Sequence, residues 1–281
     1  MPGNRRMESA APAKINLSLR VLGKRPDGFH AIETFIVPIS LADRLLVEEA
    51  DEWAFSCDDP TVPGDDRNLV VRAARLFFQA TGLKDSVRIR LEKAIPHGAG
   101  LGGGSSDAAA ALRVLDAFFA TCLGRERLMA MAAQLGSDVP VFLDGRPAWC
   151  RGRGEIVEPE PDFTEKLPVL LLKPEFGVPT PWAYKHWRDS RPLAGVRYGP
   201  QLFPWGIMEN DLERPVFEKY LLLPAMKEWL RAQPEVAGAL MSGSGSTMFA
   251  VLREPGLGQA LAIRARRLYG ESLWTREAVA G

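Results

Sequence analysis

From Lys14 onward the chain alternates. Ile15, Leu17, Leu19 and Val21 are apolar, and Asn16, Ser18 and Arg20 between them are polar. A period of two predicts a β-strand with Lys14 and Asn16 on the face opposite the apolar set. The turn-rich Gly23-Lys24-Arg25-Pro26-Asp27-Gly28 follows, and Asp-Gly is a strong turn signal. Phe29 and His30 come next, then an apolar strand through Phe35-Ile36-Val37 and a further short strand at residues 45–49. Asn68 predicts the cap of a helix carrying Leu69, Ala73, Leu76 and Phe77. Val87, Ile89 and Leu91 alternate with Arg88, Arg90 and Glu92 and predict another strand.

After that strand comes Pro96-His97-Gly98-Ala99-Gly100-Leu101-Gly102-Gly103-Gly104-Ser105-Ser106-Asp107, with glycine at five of the seven positions from Gly98 to Gly104. No regular element tolerates that density, because each glycine gives up more backbone freedom on ordering than alanine does. A helix is expected next. Ser105 or Ser106 can cap it, Asp107 suits its first turn, and Leu112, Leu115 and Phe119 line one face behind four alanines. A strand, a glycine loop and a helix N-terminus together gather free N–H groups and the positive end of a helix dipole, which makes an anion site suited to phosphate.

Two familiar phosphate loops bear comparison with this stretch. Gly98-x-Gly100-x-x-Gly103 fits the dinucleotide fingerprint, but a second helix, at 125–135, stands where a parallel strand should follow. A Walker A loop needs Gly-Lys-Ser/Thr, and Gly103 is followed by Gly104. The bland alternative is a flexible hinge, which is rarely flanked this closely by a regular strand and helix.

Asp138 follows the second helix, where Pro140 is expected to forbid continuation. Gly152-Arg153-Gly154-Glu155 reads as a tight loop, and the acidic, proline-containing residues 158–162 as a domain boundary. The second half reads as a strand at 168–173, a helix capped by Thr180 with Pro181 at its first position, and helical segments after Asn210-Asp211-Leu212-Glu213 and Pro224. Strands at 236–241 and 247–252 flank Ser242-Gly243-Ser244-Gly245-Ser246, and a helix at 256–269 and a last strand at 272–276 follow. Without the central helices the order is β-α-β-β-α-β, the split βαβ sandwich.

Composition adds mainly exclusions. The 281 residues suit one large or two modest domains, and 46% hydrophobic with 25% charged residues is ordinary for a globular protein. Lys plus Arg and Asp plus Glu are 35 each, which argues against nucleic-acid and membrane-surface binding. Cys57, Cys122 and Cys150 are widely spaced, so neither a disulfide framework nor a zinc site is expected and a reducing compartment fits. The basic Asn4-Arg5-Arg6 leads into no apolar run, and no stretch is long and apolar enough to span a bilayer. The expectation is a cytoplasmic protein, either a monomer or a weak homodimer.

Three separated segments resemble the three signatures of the GHMP kinase superfamily: Ala11-Pro12-Ala13-Lys14-Ile15-Asn16-Leu17, the 96–106 loop with Ser-Ser-Asp-Ala at its end, and the 242–246 loop. Asp27-Gly28-Phe29-His30, Gly136-Ser137-Asp138-Val139-Pro140 and Asn210-Asp211-Leu212-Glu213 narrow the resemblance to the branch that phosphorylates a cytidine-diphosphate-linked polyol in non-mevalonate isoprenoid synthesis. The resemblance implies an α+β fold of two domains. Residues 1–160 would be a ribosomal S5 domain 2-like ATP-binding domain, and 161–281 a ferredoxin-like split βαβ domain.

It further implies ATP and Mg²⁺ as co-substrate and ion, with no dedicated protein metal cage. The loop of Pro96, His97, Gly98, Ala99, Gly100, Leu101, Gly102, Gly103, Gly104, Ser105 and Ser106 would hold the phosphates through the backbone N–H groups that follow Pro96. Lys14 and Asp138 would be the catalytic pair. Asn16, Phe29, His30 and Thr180 would meet the second substrate, with Phe29 against the cytosine. Phe29 stands where the family commonly has Tyr, and Ser137 where it has Ala. Without the resemblance, Lys14 reads as a surface lysine, Asp138 as a loop-capping carboxylate, His30 as a partly buried hydrogen-bonded histidine and Phe29 as a core aromatic. Trp182, Trp187, Trp205 and Trp229 read as packing residues.

Overall fold

The computed structural model describes residues 5–281, so Asn4 of the basic tripeptide lies outside them. In chain order the first half holds β1 (Arg6–Lys24), β2 (His30–Glu49), β3 (Ala54–Cys57), α1 (Leu69–Thr81), β4 (Val87–Glu92) and α2 (Gly103–Phe119). It continues with α3 (Gly124–Leu135), α4 (Val139–Asp144), β5 (Ala148–Gly152) and β6 (Ile156–Pro159). The second half holds β7 (Leu167–Lys173), α5 (Thr180–His186), β8 (Gln201–Phe203), β9 (Gly206–Asn210), α6 (Glu213–Lys219) and α7 (Leu222–Arg231). It ends with β10 (Val236–Met241), β11 (Met248–Leu252), α8 (Gly258–Tyr269) and β12 (Trp274–Ala280).

β1 and β2 form one long antiparallel ribbon of 19 and 20 residues. Residues 35–37 and 45–49, expected as separate strands, lie on the single strand β2. The register shifts between Pro12 and Lys14 and again between Asn16 and Ser18. Such irregularities bend a strand and re-aim its side chains, and these two bracket Lys14 and Asn16. The expected alternation holds. Ala13, Ile15 and Leu17 enter one apolar core while Lys14 and Asn16 face away from it, hydrogen-bonded to each other.

Around the ribbon the order β12-β7-β11-β10 is the antiparallel 4-1-3-2 arrangement of a split βαβ unit. β4 and β5 pair with β2 on the same edge as β12, at its two ends, and β9 pairs in parallel with β1 on the ribbon's opposite flank. Three apolar cores result. One lies under α1–α4, the second lies between α6–α8 and the split βαβ sheet, and the third is shared. The shared core sets Ile15, Leu17, Phe35 and Val37 from the first half of the chain against Leu167, Val169, Leu171 and Phe249 from the second.

Several local expectations are corrected. α2 starts at Gly103 with Gly102 at the cap position and no side-chain cap, so neither Ser105 nor Ser106 caps it. α3 ends at Leu135, before Asp138 and Pro140, and a further short helix, α4, begins at Val139; Pro140 fits its first turn because a proline there lacks only an N–H that has no intrahelical partner. Pro179 stands at the cap of α5, and Thr180 is its first residue. Asn68 does cap α1, accepting the Val70 N–H at 2.8 Å. The strands β3, β5 and β6 and the β8–β9 hairpin add to the expected elements. Their runs are of three to five residues, too short for a period to register. No described helix is long and apolar enough to cross a membrane.

Candidate active site

A cleft of about 1470 Å³ runs between the two halves. Its wall includes Lys14, Asn16, Phe29, His30, Asp138, Thr180 and every residue from Pro96 to Ser105. Ser106 is the exception among the expected residues. Its side chain is buried inside α2, its hydroxyl has no partner, and its N–H donates to Gly102 O at 2.9 Å. The first N–H groups of α2 have no intrahelical acceptor and lie where the glycine loop meets the cleft.

Gly100 is where the loop is pinned. It lies at φ +75°, and a Cβ there would sit 2.4 Å from the Ser242 carbonyl oxygen. Its own carbonyl accepts from Lys14 Nζ at 2.8 Å and from Ser242 Oγ at 3.0 Å. The Lys14 N–H donates to Leu101 O at 3.0 Å, which ties β1 to the same loop. The two glycine-rich segments therefore meet main chain to main chain.

Lys14 is buried, and Nζ also donates to Asn16 Oδ1 at 2.6 Å. With two of its three protons so placed, one remains for the cleft. Burial pulls its pKa down, and the nearby Asp138 charge opposes that pull. Asn16 donates in turn to Thr34 Oγ1 at 2.8 Å, and Thr34 donates to Ser18 O at 2.6 Å, so the amide orientation is set. The same Asp138 carboxylate bears on two further groups. Burial, then Asp138, pushes the Cys150 thiol up to about 12 and raises the Tyr184 phenol, so both stay protonated.

At the other end of the cleft, Asp27 accepts the Phe29 N–H at 3.1 Å and holds the turn that presents Phe29. The Phe29 ring is half exposed, with the Arg153 guanidinium 4.8 Å from its centroid. His30 stacks on Tyr184 at 5.5 Å and meets Trp187 edge-on at 6.2 Å. Burial, then the charge of Lys24, lowers the His30 pKa and favours the neutral ring. Thr180 Oγ1 and Ser244 Oγ share a hydrogen bond of 2.8 Å. Trp187, expected only to pack, lines the cleft; Trp182 stacks on His186 away from it.

Sequence reasoning missed a buried charge cluster beneath the loop. Lys93 Nζ bonds Asp43 and, at 2.9 Å, Asp107, and Asp43 also accepts the N–H groups of Ala94 and Ile95. Burial opposes the Lys93 ammonium, but the two carboxylates prevail and its pKa is raised. Burial pushes Asp107 up to about 7 despite Lys93. Among the described residues, no group of three or more His, Cys, Asp or Glu side chains is arranged to hold a metal ion.

The GHMP kinases N terminal domain matches residues 68–146, and the GHMP kinases C terminal domain matches residues 205–269. A 4-diphosphocytidyl-2-C-methyl-D-erythritol kinase of Methylacidiphilum infernorum is 46% identical over 282 residues, 96% of this chain and 95% of the relative. The chain belongs to the 4-diphosphocytidyl-2-C-methyl-D-erythritol kinase family.

The relative of that name in Thermus thermophilus is 40% identical over 260 residues, with 89% of each chain covered. A crystal structure of a 4-(cytidine 5'-diphospho)-2C-methyl-D-erythritol kinase superposes with a TM-score of 0.79 at 38% identity, over 98% of this chain and 99% of the other. Homoserine kinase from Cytophaga hutchinsonii, at a TM-score of 0.69 and 18% identity over 100% and 96% of the two chains, shares the fold. The protein is a kinase with the two-domain GHMP fold.

Proposed function

We propose that the protein transfers the γ-phosphoryl group of ATP to the 2-hydroxyl of 4-diphosphocytidyl-2-C-methyl-D-erythritol. The carrying observation is one cleft with an amide-rich glycine loop, Lys14 and Asp138 on its wall and an aromatic cluster around His30 at the far side. That polarity suits a polyol held between a triphosphate and a stacked base. We also propose a division at residues 160 and 161, supported by one apolar core drawn wholly from residues before it and a second drawn mostly from residues after it.

In this reading Asp138 takes the proton of the acceptor hydroxyl. The oxygen attacks the γ-phosphorus, the bond from that phosphorus to the β,γ-bridging oxygen breaks, and ADP leaves. Lys14, oriented by Asn16 Oδ1 and Gly100 O, points its remaining proton at the charge that develops on the phosphoryl oxygens. The free amides at the start of α2 receive the phosphates. Phe29 and the His30–Tyr184 pair would hold the cytosine, and the cations Lys24, Arg153, Lys185 and Arg188 on the cleft wall would face its diphosphate. His30, kept neutral, can present one donor and one acceptor to a base edge.

Mg²⁺ fits this site as an ion carried in with the nucleotide. Ser105 and Asp138 are among the hard oxygens on the wall, and Mg²⁺ keeps phosphate and water for most of its ligands. When bound it neutralises charge on the β- and γ-phosphates.

A coupled ADP-release assay over a substrate panel tests the reading. ADP release is expected with 4-diphosphocytidyl-2-C-methyl-D-erythritol. Faster release with homoserine, mevalonate or galactose overturns the assignment, and ATP binding without transfer to any member would reduce the protein to a nucleotide-responsive binding module.

A further inference from the structure

The segment Asn210-Asp211-Leu212-Glu213 places no side chain on the cleft wall. Three of its side chains nevertheless hold main-chain groups of two distant segments. Asn210 is buried and donates from Nδ2 to the carbonyl oxygens of Met241 at 2.7 Å and Gly243 at 2.8 Å. Its Oδ1 accepts the Leu212 N–H at 2.9 Å. Glu213, wholly buried, accepts the Met241 N–H on Oε1 at 3.0 Å. Its other oxygen meets Lys227, whose ammonium also donates to Arg197 O at 2.7 Å. Both main-chain groups of Met241 are thus held by side chains of one segment.

Asp211 reaches the other way. Its Oδ2 accepts the Val21 N–H at 2.7 Å, and its own N–H donates to Leu19 O at 2.9 Å. Those residues lie on β1, the strand that carries Lys14 and Asn16.

Met241 leads directly into the 242–246 loop, which presses on the site. Gly243 lies at φ +56°, and a Cβ there would be 3.1 Å from Lys14 Nζ and 3.2 Å from Gly100 O. Thr247 N–H donates to Ala99 O at 3.2 Å. A shift of that loop would move the acceptor that orients Lys14. A buried ion pair such as Glu213–Lys227 gains little stability over a packed apolar pair, because desolvation offsets the attraction. Its placement on Met241 gives it a geometric role instead.

We propose that residues 210–213 form a positioning bracket that fixes the 242–246 loop relative to β1, and through Gly100 and Lys14 sets the phosphate end of the cleft. The proposal rests on the phosphoryl-transfer reading above.

The test compares Asn210→Ala, Ser242→Ala and the double variant for kcat, KM, affinity for a non-hydrolysable ATP analogue and thermal midpoint. Asn210→Ala is expected to lower kcat on the order of 10- to 100-fold, as small misplacements do. The KM for the cytidine substrate should move less than about threefold, and the double variant should fall short of the product of the single effects. Glu213→Gln with Lys227→Met keeps an acceptor for Met241 and should retain kcat within about threefold, whereas Glu213→Leu with Lys227→Met should lose it as Asn210→Ala does. A lower thermal midpoint with unchanged kcat per folded enzyme, or fully multiplicative effects, overturns the bracket. If Asn210→Ala does not fold, Ser242→Ala and the Glu213 pair carry the same comparison. Wild-type protein without ADP release on the panel overturns the reaction instead, and analogue affinity in the same variants then decides the bracket.

Discussion

Lys14 is defined by what surrounds its buried ammonium: an amide oxygen, a loop carbonyl and a nearby carboxylate. Lys14→Met keeps the stem and removes the charge. It is expected to lower kcat by about 10²- to 10³-fold in the coupled ADP assay, the range for losing one preorganised donor. Asp138→Asn should cost about 10²- to 10⁴-fold, the range of general-base catalysis, and rapid turnover in it removes Asp138 as the base. Asp107 carries a pH signature. Its pKa is 3.8 in a free chain and about 7 in the fold, so its stabilisation is full below the lower value and is lost as pH rises through the upper one. The thermal midpoint of Asp107→Asn minus that of wild type should therefore grow from about pH 5 to about pH 8, measured by scanning fluorimetry. Lys14 and Asn16 are legible in the sequence because a two-residue period puts both on one face. The Lys93–Asp43 pair is not, because its partners are 50 residues apart and neither carries a local signature. Ser106 reads as a cap because it ends a glycine run, whereas the helix begins earlier, at Gly103.

At the scale of elements, the glycine loop is legible as a loop before a helix, and its partner is not. Nothing local in 98–104 says that Gly100 must meet the 242–246 backbone. Gly100→Ala should lower kcat/KM for ATP by at least about 10-fold and the thermal midpoint by several degrees, because the new methyl meets two carbonyl oxygens in a left-handed backbone. Gly64→Ala, with open space around it, serves as the control and should change neither. The long strand β2 reads as two in the sequence because Pro38 and Ser40 interrupt its apolar run. They alternate with Val37, Ile39 and Leu41, which all enter the shared core, so a local window sees a break and the ribbon does not. The split βαβ order is legible since β7, β10 and β11 are nearly continuous apolar runs, as strands covered on both faces are.

The molecule as a whole has a core that neither half completes alone. Ile15 and Leu17 share it with Leu171 and Phe249, so separating the halves would expose large apolar side chains on both. One cooperative unfolding transition is expected, with circular dichroism and tryptophan fluorescence giving coincident urea curves. Two resolved transitions would show that the shared core is too weak to couple the halves. The arrangement of cores is not legible in the sequence, because an apolar residue on a strand declares that it is buried and not against what.

The seam between Gly100 and the 242–246 loop has a consequence for anyone building hybrids of such enzymes. Its fit comes largely from peptide groups meeting peptide groups, with the Ser242 hydroxyl bonded across it, so the path of both backbones is the stricter constraint. Exchanging one half of the chain for that of a distant cousin would keep the seam only if both loops followed the same trace, and the two segments are best swapped together.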